Sequence, residues 1–261
     1  MDDQEKLQLA LIQFDALWEQ PYENLQLLST LLSELPDNTD LIILPEAFAT
    51  GFSMNALKVS EPMNGPIIEW MKATAQQKSC CICGGVFIEE DGKYYNRFVW
   101  VSPDLQIHTY DKRHLFSLEG ENNAYSPGNS HQIIYYKGWT IFPQICYDLR
   151  FPVWSRNVHH YDLLINIANW PAARSKVWKT LLKARAIENQ CFVAASNRIG
   201  TDGQDIAYSG KSMVINFKGE TIINAKNKHG IFVEKIDRGD LDAFRRKFNS
   251  LRDADQFDIY L

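Results

Sequence analysis

Residues 6–46 read KLQLALIQFDALWEQPYENLQLLSTLLSELPDNTDLIILPE, and the periods within this stretch decide the fold class. Lys6 to Phe14 alternates as a strand does, and Asp40 to Leu44 is a compact apolar strand. Between them, leucines at 25, 28, 31, 32 and 35 follow the three-and-four spacing of an amphipathic helix over Glu23–Leu35, which stops before Pro36. Strand, helix, strand is the unit of a sheet with parallel pairing and helical cover.

The same reading continues outward. A helix after Pro66 carries Ile67, Ile68, Met71 and Ala75 on one face. Cys81–Ile88, Tyr94–Val101 and Ile107–Asp111 then read as consecutive strands with Gly-rich or polar turns. Residues 112–131 have no period and are rich in Gly, Asn, Ser and Pro; so long a loop in a compact domain is usually functional. Strands resume at Gln132–Tyr136, Trp139–Ile145, Leu163–Ala168 and Cys191–Asn197, with a helix over Lys176–Asn189 before the last. A further helix is expected near Pro152. Ser212–Asn216, Thr221–Ile223 and Gly230–Ile236 are expected to close a three-stranded antiparallel end piece, and Leu241, Phe244 and Phe248 mark a last helix. With no linker or repeat, the expectation is one α/β domain over 1–261, two mixed sheets covered by helices, with a C-terminal helix and tail from about 237.

The 261 residues are 45% hydrophobic and 23% charged, which supplies a core and excludes a disordered chain. With 27 basic against 32 acidic side chains there is no cationic field for phosphates, so nucleic acid is not an expected partner. The opening Met1-Asp2-Asp3-Gln4-Glu5-Lys6 lacks the basic and apolar blocks of a signal peptide, and the apolar runs fall far short of the roughly 20 residues a bilayer requires. A cytoplasmic protein without membrane association is expected. Five cysteines, three crowded at Cys80, Cys81 and Cys83, make a poor disulfide framework and lack the second ligand pair of a zinc site. Reduced thiols, a buried strand and no metal are expected there.

Three residues stand out because each follows a different expected strand. Cys146 lies where the apolar run Trp139–Ile145 meets a polar stretch; a turn leaving a strand exposes a side chain at its apex and aims backbone N–H groups at the same point. A nucleophilic cysteine needs a base, and none of the six histidines (108, 114, 131, 159, 160, 229) sits in a cysteine-protease setting. Glu46 follows a buried strand at its carboxyl end, where open α/β sheets place their sites. Lys112 ends the strand Ile107–Asp111 and enters the long loop. Singly, each has an ordinary reading as core or surface; together they supply nucleophile, base and cation.

The motifs Leu44-Pro45-Glu46 with Phe48, Tyr110-Asp111-Lys112-Arg113-His114-Leu115-Phe116 and Cys146-Tyr147-Asp148-Leu149-Arg150-Phe151-Pro152 resemble, in order and spacing, those of the nitrilase superfamily of carbon–nitrogen hydrolases. Asn169-Trp170-Pro171 with Lys183-Ala184-Arg185-Ala186-Ile187-Glu188-Asn189 looks most like its ω-amidase branch, which hydrolyses the terminal amide of 2-oxo acids such as 2-oxoglutaramate and 2-oxosuccinamate. The resemblance implies a four-layer α-β-β-α sandwich of the nitrilase type, a homodimer, a small-molecule amide substrate and no metal or organic cofactor. It implies Glu46 as general base, Lys112 as oxyanion-stabilising cation and Cys146 as nucleophile. The second glutamate of the family is then Glu119 or Glu121, and its place before Asn122-Asn123-Ala124-Tyr125 favours Glu121.

On this reading the oxyanion is held by Lys112 and the backbone N–H of Tyr147, while Phe116 and Trp170 edge the pocket. The far carboxylate of a 2-oxo acid amide needs a cation, for which an arginine fork is best suited; Arg174 is the first candidate, ahead of Arg113, His114, Arg150 and Lys211. The alternatives are nitrile or N-carbamoyl hydrolysis by the same residues, or a retired binding module, against which the presence of every required residue type argues.

Overall fold

The strand–helix–strand unit forms as its periods require. In the computed structural model, which describes residues 5–260, β1 (Lys6–Gln13) and β2 (Leu41–Ile43) pair in parallel, Leu9 beside Leu41 and Leu11 beside Ile43, with α1 (Pro21–Leu32) crossing between them. The helix begins two residues ahead of the leucine spacing because Pro21 occupies its first turn, where a missing N–H costs nothing. It ends at Leu32 because Ser33, Glu34 and Leu35 bond to carbonyls three residues back, a tighter turn that still buries Leu35.

The chain continues through α2 (Ala56–Val59), α3 (Pro66–Lys78), β3 (Cys81–Glu90), β4 (Lys93–Val101), β5 (Ile107–Asp111), α4 (Glu121–Ala124), β6 (Ile134–Tyr136), β7 (Trp139–Ile145) and β8 (Leu163–Ala168). There follow α5 (Ser175–Asn189), β9 (Phe192–Asn197), β10 (Ile199–Thr201), β11 (Ala207–Ser209), β12 (Met213–Ile215), β13 (Thr221–Asn224), β14 (Gly230–Asp237) and α6 (Arg238–Lys247). Two six-stranded sheets result, ordered β14-β1-β2-β3-β4-β5 and β13-β12-β9-β8-β7-β6, with β10-β11 a separate hairpin.

Alternation along the strands builds the layers. Leu7, Leu9 and Leu11 of β1, with Leu41, Ile43, Cys81 and Cys83, pack against Ile145, Ile165, Ile167 and Val214 of the second sheet. The intervening residues, such as Ala10, Ile12 and Ile42, pack under Leu28 and Leu32 of α1 and Ile68, Met71 and Ala75 of α3. The outer face of the second sheet is covered by Trp178, Leu182 and Ala186 of α5. The order is α-β-β-α, and the inner strands are buried on both faces, which matches the near-continuous apolar run of β8.

Three expectations need correction. The three C-terminal strands do not form one end piece: β12 and β13 pair in the second sheet, but β14 crosses to the first and lies antiparallel to β1 along its whole length, Lys6 to Gln13 against Asp237 to Gly230. A full-length edge of β1 buries more backbone than a third hairpin strand would. No helix starts at Pro152; a 3₁₀ helix spans Cys146–Arg150 instead, starting at the cysteine. The last helix ends at Lys247, leaving Phe248 largely exposed.

Candidate active site

β2, β3 and β5 run in one direction and β7 and β8 are parallel, so the segments leaving β2, β5, β7 and β8 can converge. Glu46 follows β2, where the chain keeps to the edge of β3: Leu44 N–H donates to Cys83 O (2.8 Å) and Gly85 N–H to Pro45 O (3.1 Å). A Cβ on Gly85 would lie 2.8 Å from both Ala47 N and Glu46 Cα. The glycine is therefore what lets the Glu46 backbone rest on the sheet. Ala47, at φ +46°, turns the chain away directly after it.

Lys112 is fixed through its main chain, its N–H donating to Asn96 O of β4 at 2.9 Å. Its ammonium donates to Glu46 Oε1 and to both oxygens of Glu121, each at 2.9 Å. Glu121, the first residue of α4, is fully buried, and its Oε2 also accepts the Phe116 N–H at 2.6 Å. Glu119, two residues earlier, is exposed at the pocket rim. The left-handed Gly120 between them turns one carboxylate inward and the other out, so the structure brings Glu121, not Glu119, to the lysine. The long loop thus holds a short helix that its composition did not reveal.

The charges are mutually dependent. Burial alone would lower the pKa of Lys112, but the neighbouring Glu121 and Glu46 outweigh it and hold the ammonium above the ordinary lysine range. Burial raises Glu121, opposed by Lys112 and reinforced by Glu46. Removing one partner from such a cluster strands a buried charge, at a cost of about 3–5 kcal/mol.

Cys146 sits at φ +44°, a left-handed conformation for a non-glycine residue. The turn is braced by Asp148, fully buried, which accepts from Ile145 N–H (3.1 Å), His114 N–H (2.9 Å) and Tyr110 OH (2.8 Å) and lies 2.8 Å from His114 Nδ1. Tyr147 is the second residue of the 3₁₀ turn, where backbone N–H groups lack intrahelical partners. The Cys146 thiol is pushed well above its usual pKa by burial and by Glu46, with only partial relief from Lys112.

Cys146, Lys112, Phe116, Trp170 and Arg174 all line one pocket, of about 570 Å³ with its open mouth included, together with Arg150, Phe52 and the hairpin residues Asp202 and Tyr208. The guanidinium of Arg174 lies 5.1 Å from the Phe116 ring centre and that of Arg150 5.3 Å from Trp170. Neither makes an ion pair among the described residues. The other cations considered are not among the lining residues: Arg113 donates to Gly128 O, His114 pairs with Asp148 and Lys211 donates to Ser175 Oγ. Cys80, Cys81 and Cys83 are buried and free, and no group of three potential metal ligands converges among the described residues.

The pocket residues Phe52, Asp202 and Tyr208 were not singled out from the sequence, and two residues that hold the acids had no role assigned there: Asn169 stood only within the Asn169-Trp170-Pro171 motif, and Asn96 was not singled out. Asn169, directly after β8, donates its backbone N–H to Glu46 Oε2 (2.8 Å) and its side-chain Nδ2 to Glu46 O (2.5 Å), while its carbonyl lies 3.9 Å from Cys146 Sγ. Asn96 of β4 donates to Glu46 Oε1 and Glu121 Oε1, both at 2.8 Å. In β4 (KYYNRFVWV) Asn96 stands directly before Arg97 and does not break an apolar run, so the one available signal was the glycine pair 84–85 in β3, which marks a close backbone approach.

Residues 8–246 match the family model described as carbon-nitrogen hydrolase. The sequence is 42% identical to omega-amidase YafV of Escherichia coli over 97% of this chain and 99% of that protein. It is 32% identical to a 2-oxoglutaramate amidase of Bacillus subtilis over 89% and 91% of the two chains. The fold matches a CN-hydrolase superfamily protein of Xanthomonas campestris, whose crystal structure holds an arsenic adduct in the active site, with TM-score 0.95, 40% identity and coverage of 98% and 99%.

Proposed function

The chain belongs to the carbon-nitrogen hydrolase family, and from that premise we propose that it hydrolyses the terminal amide of a small 2-oxo acid, such as 2-oxoglutaramate or 2-oxosuccinamate, through a thioester on Cys146. The likeness to the omega-amidase and 2-oxoglutaramate amidase supports the substrate class. The observation that carries the reading is the meeting in one pocket of Cys146, Lys112 and two arginines that have no ion-pair partner among the described residues, with Glu46 behind them.

An amide has a weakly electrophilic carbon and a poor leaving group. Glu46 takes the proton of Cys146 as the sulfur attacks, so no standing thiolate is needed. The carbonyl oxygen, as it gains charge, is held by Lys112 Nζ and the Tyr147 N–H; one such donor contributes about 3–4 kcal/mol. Glu46 passes the proton to the nitrogen, ammonia departs, and Glu46 then deprotonates the water that opens the thioester. Glu121 keeps Lys112 charged and in place. Arg174, with Arg150 beside Trp170, meets the far carboxylate.

The test is ammonia release from 2-oxoglutaramate, 2-oxosuccinamate, propionamide, a small nitrile and an N-carbamoyl amino acid. The two oxo acid amides should lead, and preference for the nitrile or carbamoyl compound would move the assignment within the family. Arg174→Ala should raise KM for 2-oxoglutaramate about 10- to 100-fold, the worth of a hydrogen bond to a charge, and leave propionamide little changed. Equal effects on both would remove Arg174 as the carboxylate's partner and leave Arg150 to test.

A further inference from the structure

Asn96 is 1% exposed, and apart from Lys112 it is the one side chain among the described residues that bonds both carboxylates. Its –NH₂ group has two hydrogens and meets two acceptors, Glu46 Oε1 and Glu121 Oε1, each at 2.8 Å. The amide's orientation follows from its surroundings: Oδ1 is buried without a partner, yet turning the group over would set that oxygen against two carboxylates. Its backbone carbonyl accepts the Lys112 N–H. One residue therefore touches base, second acid and cation.

We propose that Asn96 is a positioning residue that keeps Glu46 and Glu121 both ionised at neutral pH and so sets the lower pH limit of the reaction. Two carboxylates bridged by a single ammonium have a competing arrangement, in which one is protonated and the pair shares that proton. Asn96 opposes it by occupying an oxygen of each with a donor, which favours the charged form. The inference rests on Glu46 acting as base, since a protonated Glu46 cannot accept the thiol proton.

The other groups facing the pair are accounted for. Lys112 stands between the carboxylates and Cys146 faces them from the second sheet. Tyr125, after α4, is committed to Ser53 O at 2.6 Å, and Tyr208 of β11 faces Cys146 across the pocket. The N–H groups of Asn169 and Phe116 each serve one carboxylate only. Asn96 is thus the sole uncharged donor common to both among the described residues.

The experiment is the pH profile of kcat/KM for Asn96→Leu and Asn96→Asp, run beside the pH dependence of iodoacetamide alkylation of Cys146, which requires no substrate. The acid limb should move up by about one pH unit in the leucine variant, the worth of a hydrogen bond to a charged group, and further in the aspartate variant, with KM little changed. The alkylation profile should move with it. A limb that stays in place while kcat falls evenly at every pH would overturn the proposal and leave Asn96 a structural residue. Isotope-edited infrared spectra of the wild-type protein decide the matter even if neither variant folds: a protonated glutamic acid at Glu46 or Glu121 at pH 7 overturns it, and two ionised carboxylates support it. A wild-type protein without amidase activity would defeat the functional reading instead, and the alkylation profile would still test Asn96.

Discussion

Cys83 and Cys146 are the same side chain in two settings of one molecule. Cys83 sits in β3 between the sheets, fully buried beside Cys81, and burial pushes its thiol well above the ordinary range. Cys146 has its thiol pushed up as well, yet it opens onto a pocket, with Lys112 in the same lining and Glu46 behind. A low pKa therefore does not distinguish the nucleophile here. What separates the two is an adjacent acceptor for the proton, a cation for the developing charge and access for a substrate, so that the proton leaves during attack rather than before it.

The largest expected effect comes from breaking that contrast directly. Cys146→Ala should lower kcat/KM more than a thousandfold with an unchanged fold, as removal of an essential nucleophile does. Cys83→Ala should leave kcat/KM near wild type and lower unfolding stability by about 1–2 kcal/mol, the range for a small core truncation, read by denaturant titration. A comparable activity loss in Cys83→Ala would dissolve the distinction.

A second pair sharpens it among the acids. Glu121→Gln removes a charge that Lys112 bonds through two oxygens, and kcat should fall by about two orders of magnitude, as for loss of a group supporting acid–base chemistry. Glu119→Gln, at the rim, should have little effect. Steady-state kinetics on 2-oxoglutaramate would show the reverse order if the carboxylate at the rim were the working one.

The sequence revealed what repeats and lost what does not. The alternation in β1 and the leucine spacing of α1 carry enough period to give the layers, and the three strand ends named Glu46, Lys112 and Cys146. The partner of β14 was invisible because pairing with β1 joins residues at opposite ends of the chain, whereas nearness in sequence favoured β13. The 3₁₀ turn at Cys146 is set by Asp148 bonding to Ile145, Tyr110 and His114, contacts that only the folded chain assembles. Asn96 reads as an ordinary polar residue and Asn169 only as part of a motif until the sheets bring Glu46 to them, although Gly84-Gly85 inside a strand already signalled that some backbone approaches closely there.

The most direct measurement is alkylation with limiting iodoacetamide, followed by peptide mass mapping and residual amidase activity. One equivalent on Cys146 should account for the whole loss of activity, and 2-oxoglutaramate should slow the modification. Activity that survives a modified Cys146, or that disappears in step with Cys80, Cys81, Cys83 or Cys191 instead, would contradict the assignment of Cys146 as the nucleophile.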